Sequence, residues 1–506
     1  MTAHVSLSRL ASAPTAARLT IDLVVPRHDL WRWHVELARR LRDKGHDVQL
    51  VEGQTAGRPS LVARLILSAN ALVWRMRGIL SANAVAVLSP PRTNADLRIE
   101  LGASSREVTG VRTLTLAFNG ASSPLTALRI LAEGKLPTVE TLLDGVRIGR
   151  ALPMVNRRSL IGRGFDDVLA RALTLVEKTI TSIASGEMPP SLDSAEQDQP
   201  KHTLLMAYLT STLPRLAGEL LRLATHRHAH WRVGYRLHND ARPPIDGQLG
   251  DGWRELPDNG DHFYADPFAF EHEGRRHVFV EDFCHRGRRA CISAFEVHDD
   301  GSATVPRPVL IEPHHLSYPN VFERDGAIWM IPESSSAREL VLYRAERFPD
   351  VWVRHAVLVA GKEICDATLL DHNGRLYLFS TERDGFGSTS DVMVVYSADR
   401  LEGPWSPHPQ NPIQIDRSAA RPGGAFIHRG NELFLPVQDG TQCYGGGLGI
   451  AQLRQLDPQR VEFAPPIPVT TEAWPHPLIH TYNSSARLEV IDGLAPAPRW
   501  PKGFRR

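Results

Sequence analysis

Cysteine is scarce in this chain. Cys284, Cys291, Cys365 and Cys443 are all that 506 residues hold, and no two form a CxxC pair. That argues against a disulfide-stapled scaffold and against a cysteine metal site, and leaves free thiols of a reducing compartment as the expectation. An excess of charge is lacking too. The 58 Lys and Arg almost cancel the 57 Asp and Glu, leaving a formal net charge of +1. Nucleic-acid binders usually carry a strong basic excess or stripe, so nucleic acid is not an expected partner. Long apolar runs are missing as well. No window reaches the ~18 apolar residues of a membrane span. The longest candidate, RPSLVARLILSANALVWRMRGIL, is broken by Arg64, Arg75 and Arg77 and reads as an amphipathic helix packed on a sheet. The N-terminal MTAHVSLSRLASAPTAARLTIDLVV has no apolar core of signal-peptide length, so the expected location is cytoplasmic. No motif names a cofactor or a metal.

What is present fits several domains. The length suits two or three, and 42% apolar with 23% charged residues are globular values. Residues 19–150 alternate strand and helix signals. LTIDLVV is a continuous apolar strand of the doubly buried kind. RWHVELARRLRDKGHDVQLV follows with Val35, Leu37, Ala38 and Leu41 on one helix face, a stop at Gly45, and a strand DVQLV. NAVAVLS, ADLRIEL and VRTLTLAF add strands. The pattern predicts a doubly wound α/β domain without the GxGxxG dinucleotide turn.

Residues 151–230 form a helical connector, with apolar spacing of three and four in DDVLARALTLVEKTITSIAS and HTLLMAYLTSTLPRLAGELLRLATH. Between them GEMPPSLDSAEQDQPK, residues 186–201, reads as a flexible linker. His226, His228 and His230 alternate as at a strand edge, with no neighbouring carboxylate or Cys to complete a metal site.

From Trp231 the chain repeats. FYADPFAFEHEGRRHVFVEDF, LSYPNVFERDGAIWMIPES, ICDATLLDHNGRLYLFSTE and ARPGGAFIHRGNELFLPVQD each hold a polar or Pro-bearing entry, a strand, a Gly turn, a second strand and an acidic or amide end. The anchors Asp266, Pro319, Asp366 and Pro422 lie 53, 47 and 56 residues apart, and His480 in HTYNSSARLEVIDG stands 58 further on. Units of about 50 residues with four strands predict a β-propeller. Five blades over 231–493 suit the length. The strand 231–237 is expected to pair with 487–491 and close the ring, leaving 494–506 as a tail.

Equivalent positions of inner strands converge on one end of a propeller's channel. Asp266 and Asp366 are therefore expected at one opening. His315, Tyr318, Arg421 and His480 should line it. The second-strand ends Glu281, Asp282, Glu333, Glu382, Gln438 and Asp439 should contribute, with Glu333 and Asp439 as candidate general acids. Arg421 is read as a fork for an anionic group such as a phosphate.

Three resemblances add to this reading. The strand–RWH–helix–GH opening, ADLRIEL and GVRTLTLAFNG resemble the N-terminal domain of folate-dependent formyltransferases, whose catalytic set is Asn, His and Asp. Asn119 follows the matching strand, but GASSPLTAL after it holds no His, so that machinery looks degenerate and a turn-capping Asn119 is the alternative. The ADPF and CDATLL openings resemble five-bladed glycosidases of the arabinanase and xylosidase type, which implies Asp266 as base and Asp366 as tuning carboxylate. Their acid has no counterpart, since blade four opens ARPGG and the EGP at Glu402–Pro404 lies in an outer strand.

The third resemblance is the most extensive. HLSYPNVFERDGAIWMIPES, ELVLYRAERFPDVW, LEGPWSPHPQNPI and ARPGGAFIHRGNELFLPVQD with its YGGG are similar to the N-terminal propeller domain of plant glucosamine inositolphosphorylceramide transferase. In that family a separate glycosyltransferase domain follows the propeller. The expected function is a transferase acting on a sugar or glycoconjugate at the channel. A non-catalytic carbohydrate-binding propeller, a glycoside hydrolase, and formyl or acyl transfer by the N-terminal domain are the alternatives.

Overall fold

The computed structural model describes residues 17–27, 30–54, 61–73, 79–104, 110–193, 198–238, 243–470, 472 and 474–499. The chain divides into two compact units. One comprises Met1–Leu128, Thr138–Arg150 and Leu169–Pro200; the other comprises Arg129–Pro137, Ala151–Val168 and Lys201–Arg506.

The first unit is built on a six-stranded sheet. Its strands are β1 (Thr20–Pro26), β2 (Asp47–Gly53), β3 (Leu97–Glu100), β4 (Arg112–Phe118), β5 (Val139–Leu143) and β6 (Val146–Ala151), in the order β2-β1-β3-β4-β5-β6. The first four run parallel, and β5 returns antiparallel to β4. Helix α1 (Arg32–Asp43) carries the chain from β1 to β2 and buries Trp33, His34, Leu37, Ala38 and Leu41. Helices α2 (Leu61–Val73) and α3 (Leu125–Ala132) follow β2 and β4.

One expected strand does not form. NAVAVLS meets the sheet at a single parallel bridge, Ser89 to Val51, and leaves Val85 98% exposed. β1 already sits between β2 and β3, and the segment touches the outer edge of β2 once.

The helical stretch is shared. The boundary between the units passes through α4 (Ile161–Ala184). The described parts of 186–201 are tied to the first unit's sheet: Leu192 N–H donates to the Arg147 carbonyl at 2.9 Å and Arg150 Nη2 to that of Asp193 at 3.0 Å. In the second unit α5 (Leu204–Ala207), capped by Thr203, runs through a wide turn at Tyr208–Thr212 into α6 (Leu213–Thr225).

The remainder of the second unit is a five-bladed propeller. Inner strands of blades one to three are His262–His272, Ser317–Arg324 and Glu363–His372. Blade four begins with the short pieces Arg421–Pro422 and Ile427–Arg429, and blade five with Tyr482–Ser484. The ring closes as expected, Trp231–Leu237 pairing antiparallel with Leu488–Leu494 from Leu237–Leu488 to Trp231–Leu494. Blades pack through apolar clusters such as Phe279, Ile292, Met330, Tyr343 and Trp352.

Candidate active site

Three inner strands break their ladders at the same place. In blade one the pairing jumps from Ala265–Glu281 to Phe268–Phe279, in blade two from Ser317–Glu333 to Asn320–Ile331, and in blade three from Cys365–Thr381 to Thr368–Phe379. Each jump sets two inner residues against one, a β-bulge that re-aims a side chain. Its first residue is left-handed every time: Asp266 at φ 49°, Tyr318 at φ 47° and Asp366 at φ 51°. Such a conformation costs a non-glycine residue about 1–3 kcal/mol and persists where the surroundings over-determine it. In blade four Gly424 stands two residues past Pro422, at φ 152°. A Cβ there would stand 2.0 Å from the Tyr482 carbonyl oxygen, so the backbones of blades four and five meet where a side chain cannot fit.

The strand register sorts the second-strand candidates. Glu281 and Glu333 oppose Ala265 and Ser317, and the same position is Thr381 in blade three and Gln438 in blade four. Side chains alternate along a strand, so residues one step away face elsewhere. Glu382 turns to Lys362 Nζ at 2.9 Å and the Tyr396 hydroxyl at 2.7 Å. Asp439 caps a turn, accepting the Thr441 N–H at 2.8 Å. Asp282 holds Ser293 at 2.7 Å and His262 at 2.6 Å. The general-acid reading of Asp439 and the ligand reading of Glu382 are corrected on that geometry. Tyr318 is also corrected: it is fully buried, and its hydroxyl accepts the Gly424 N–H at 2.7 Å and lies 2.7 Å from Thr368 Oγ1, a strut between blades.

The others meet in one buried network. Arg421 donates through Nε to Asp366 Oδ2 at 2.6 Å and through Nη2 to Oδ1 at 3.1 Å. Its Nη2 also reaches Glu333 Oε2 at 3.3 Å and its Nη1 reaches Ser390 Oγ at 3.1 Å. Gln438 Nε2 adds a bond to Asp366 Oδ2 at 2.7 Å. The fork is thus spent inside the protein, and the phosphate-holding role expected of Arg421 is corrected. Burial first, then Glu333 and Asp266, push the Asp366 carboxyl up against the pull of Arg421. Ser335 Oγ donates to Glu333 Oε1 at 2.7 Å.

On the other side of the mouth His480 lies between two carboxylates, Nε2 3.0 Å from Asp266 Oδ1 and Nδ1 3.1 Å from Asp492 Oδ1. Burial alone would lower its pKa; Asp492 and Asp266 outweigh burial and raise it to about 10. Asp492 also accepts the backbone N–H groups of His480, Thr481 and Asp266, at 3.1, 3.0 and 3.1 Å. These three acidic and imidazole groups could offer ligand atoms to an ion. Here the imidazolium already supplies the positive charge between the two carboxylates.

The two remaining carboxyls of the mouth are driven apart. Burial raises the Asp266 carboxyl, but His480, Arg421 and Thr481 more than offset it and hold the group below its ordinary value. Glu281 goes the other way, pushed well up by burial and then by the charge of Asp266. His315 Nε2 is 3.3 Å from Glu281 Oε1, and burial lowers the pKa of the imidazole.

Over this network stands Tyr444, 42% exposed, with the Arg421 guanidinium 5.3 Å from its ring centroid. Trp231 packs on His480 with centroids 4.0 Å apart. Gly445, at φ 63°, lets the loop run against Trp231, where a Cβ would come within 2.3 Å of the ring. Sequence reasoning quoted the YGGG run without placing its Tyr in the site, and missed Asp492 and Ser390. The three glycines after an aromatic were the available signal.

In the first unit Asn119 is buried and occupied. Its Oδ1 accepts the Thr138 N–H and its Nδ2 donates to the Asp198 carbonyl, both at 3.0 Å, while Gln199 Nε2 bonds its own carbonyl at 2.7 Å. With φ at 48° it is a turn residue. A cavity of about 280 Å³ in this unit is lined by Trp31, Arg64, Leu67, Asn83 and Leu125, without Asn119.

Residues 256–472 match the family described as glucosamine inositolphosphorylceramide transferase 1, N-terminal. The chain is 33% identical over 210 residues to glucosamine inositolphosphorylceramide transferase 1 of Oryza sativa subsp. indica, covering 40% of this chain and 28% of that protein. The Arabidopsis thaliana protein of the same name is 33% identical over 207 residues, 40% of this chain and 26% of its own. The chain thus spans about a quarter of the length of these relatives. Distant likenesses among solved structures include an exo-β-1,3-galactanase from Clostridium thermocellum, 15% identical with a TM-score of 0.34 over 47% of this chain and 60% of that one. The α-L-arabinofuranosidase of Podospora anserina is 12% identical, with a TM-score of 0.34 over 47% of this chain and 94% of its own.

Proposed function

We propose that the channel mouth takes a neutral sugar of a glycoconjugate and that the protein transfers it by general acid–base catalysis. One observation carries this reading: two carboxyls of one mouth have environments that push them in opposite directions, Asp266 down and Glu281 up. Such a separation assigns base and acid. Asp266 takes the proton of an acceptor hydroxyl as its oxygen bonds to the anomeric carbon. Glu281 gives its proton to the glycosidic oxygen as that bond breaks. Asp366, locked by Arg421, supplies fixed charge, and the exposed Tyr444 ring offers a face for the sugar to stack on. With the Arg421 fork spent on Asp366 and Glu333, the site suits a hydroxyl leaving group, protonated by Glu281, better than a phosphate. That the plant relatives are named glucosamine inositolphosphorylceramide transferases supports a glycoconjugate substrate, through the propeller alone.

A second reading, a sugar-binding propeller without turnover, is favoured by the mutual satisfaction of Arg421, Asp366, Glu333 and Gln438. The test is to incubate the full chain with aryl glycosides, oligosaccharides and nucleotide sugars beside lipid-linked and free hydroxyl acceptors, following products by mass spectrometry. Transfer that falls about 100-fold or more in both Asp266→Asn and Glu281→Gln, with melting unchanged, supports the acid–base reading. Binding without product in the wild type supports the second.

A further inference from the structure

Helix α6 turns its polar side inward. Thr212, Arg215 and Glu219 fall on one face, three and four residues apart. Thr212 Oγ1 donates to the Ala132 carbonyl at 3.0 Å, Arg215 Nη2 donates to the same carbonyl at 2.8 Å, and Ser159 Oγ donates to Glu219. The apolar stripe Leu209, Leu213, Leu220 and Leu221 faces out instead, with Leu221 66% exposed, and Leu205 and Met206 extend it through the preceding turn. A helix of a soluble domain ordinarily buries that stripe, and a contiguous exposed one marks a contact surface.

The charge around the stripe is predominantly basic. From Lys201 to His230 the charged residues are Lys201, Arg215, Arg222 and Arg227 with Glu219 as the single acid, and Glu219 is turned in to Ser159. Burial first, then Arg157, Arg222 and Arg288, lower the His228 pKa against an upward pull from Glu219, so basic charge outweighs acid past the helix end. The place is also specific. Arg215 Nη1 donates to the Arg158 carbonyl at 3.3 Å, and Arg158 Nη2 donates to the carbonyl of Thr441, which opens the loop carrying Tyr444 over Arg421. The helix is therefore braced against a rim of the channel mouth.

We propose that the outward face of Leu204–Thr225 docks on the surface of an anionic phospholipid bilayer, its leucines in the interface and Lys201 and Arg222 toward the head groups. An amphipathic helix with apolar residues on one side and basic ones beside them lies in such an interface rather than crossing it, and the 13 residues of α6 are too few to span. Docking there would bring the channel mouth to sugars borne on lipid head groups; this consequence alone rests on the sugar reading of the mouth.

The experiment is flotation of the full chain with phosphatidylcholine vesicles and with vesicles containing 30% phosphatidylglycerol, at low and high salt (the composition is a choice of probe, about a third anionic lipid). We expect flotation with the anionic vesicles, weakened by salt, and a loss of roughly tenfold or more in Leu213→Glu/Leu220→Glu. Arg222→Glu should weaken flotation on anionic vesicles while leaving melting unchanged, which keeps the proposal testable if the double variant folds poorly. No flotation of the wild type, or flotation equal in all variants, overturns the proposal. So does a dimer in sedimentation that the double variant converts to a monomer without any vesicle binding, which would assign the face to a second copy of the chain.

Discussion

Arg421 and Asp366 meet edge to edge, Nε on Oδ2 at 2.6 Å and Nη2 on Oδ1 at 3.1 Å, both side chains almost wholly buried. The pair joins the inner strands of blades three and four at the place where the channel opens. Removing one buried partner leaves the other's charge uncompensated. Arg421→Met should therefore cost about 3–5 kcal/mol of unfolding free energy, read from urea denaturation. Arg421→Met/Asp366→Asn, which removes both charges, should recover part of it. A single variant as stable as the wild type would show that the pair does not carry this end of the propeller.

The ring and the main cluster were legible in the sequence because the repeat fixes phase. Asp266 and Asp366, 100 positions apart, fall on the same bulge with the same left-handed backbone. What the repeat could not show was direction within a step of one residue. Glu382 and Asp439 end their strands as Glu281 and Glu333 do, yet the register puts Thr381 and Gln438 in the facing position. Nor could it show who pairs with whom: Arg421 looked free for a ligand until its partners were seen. NAVAVLS had the alternation of a strand, yet it meets the outer edge of β2 at a single bridge.

His480 makes stability depend on pH. Its pKa is raised from the ordinary 6.5 to about 10 by Asp492 and Asp266, so the stabilisation is complete below about pH 6.5 and is lost as pH rises through 10. The melting temperature of the wild type should fall between pH 7 and pH 10, and the fall should be smaller in His480→Asn. Parallel curves for the two proteins would place the effect elsewhere.

Asn119 tests whether the first unit keeps a catalytic amide. Its side chain serves Thr138 and Asp198 through part-buried hydrogen bonds, each worth about 0.5–1.5 kcal/mol net. Asn119→Ala should destabilise the chain on that order and leave transfer at the propeller mouth unchanged at temperatures where the variant is folded. Loss of turnover without loss of stability would contradict the turn role.

Tyr444 should matter to a ligand more than to the fold, because its ring is partly exposed and stands over the Arg421 guanidinium. Tyr444→Ala should weaken sugar binding by about 1 kcal/mol while Tyr444→Phe stays near the wild type, as a stacking face requires. Calorimetric titration with the sugar that stabilises the wild type most would measure both. Equal losses in the two variants would assign the effect to the hydroxyl instead.

The central claim is that the channel mouth takes a neutral sugar between Asp266 and Glu281, and its most direct measurement is a thermal-shift screen of the wild type beside Glu281→Gln and Tyr444→Ala. A ligand at 100 times its dissociation constant stabilises the folded chain by about 2.7 kcal/mol. The screen should include neutral mono- and disaccharides, nucleotide sugars and inorganic phosphate. The account predicts that a neutral sugar raises the wild-type melting temperature, that phosphate does not, and that the rise is smaller in both variants, by about 1 kcal/mol of the stabilisation in Tyr444→Ala. No shift with any sugar, or a sugar shift of the same size in both variants, would contradict it.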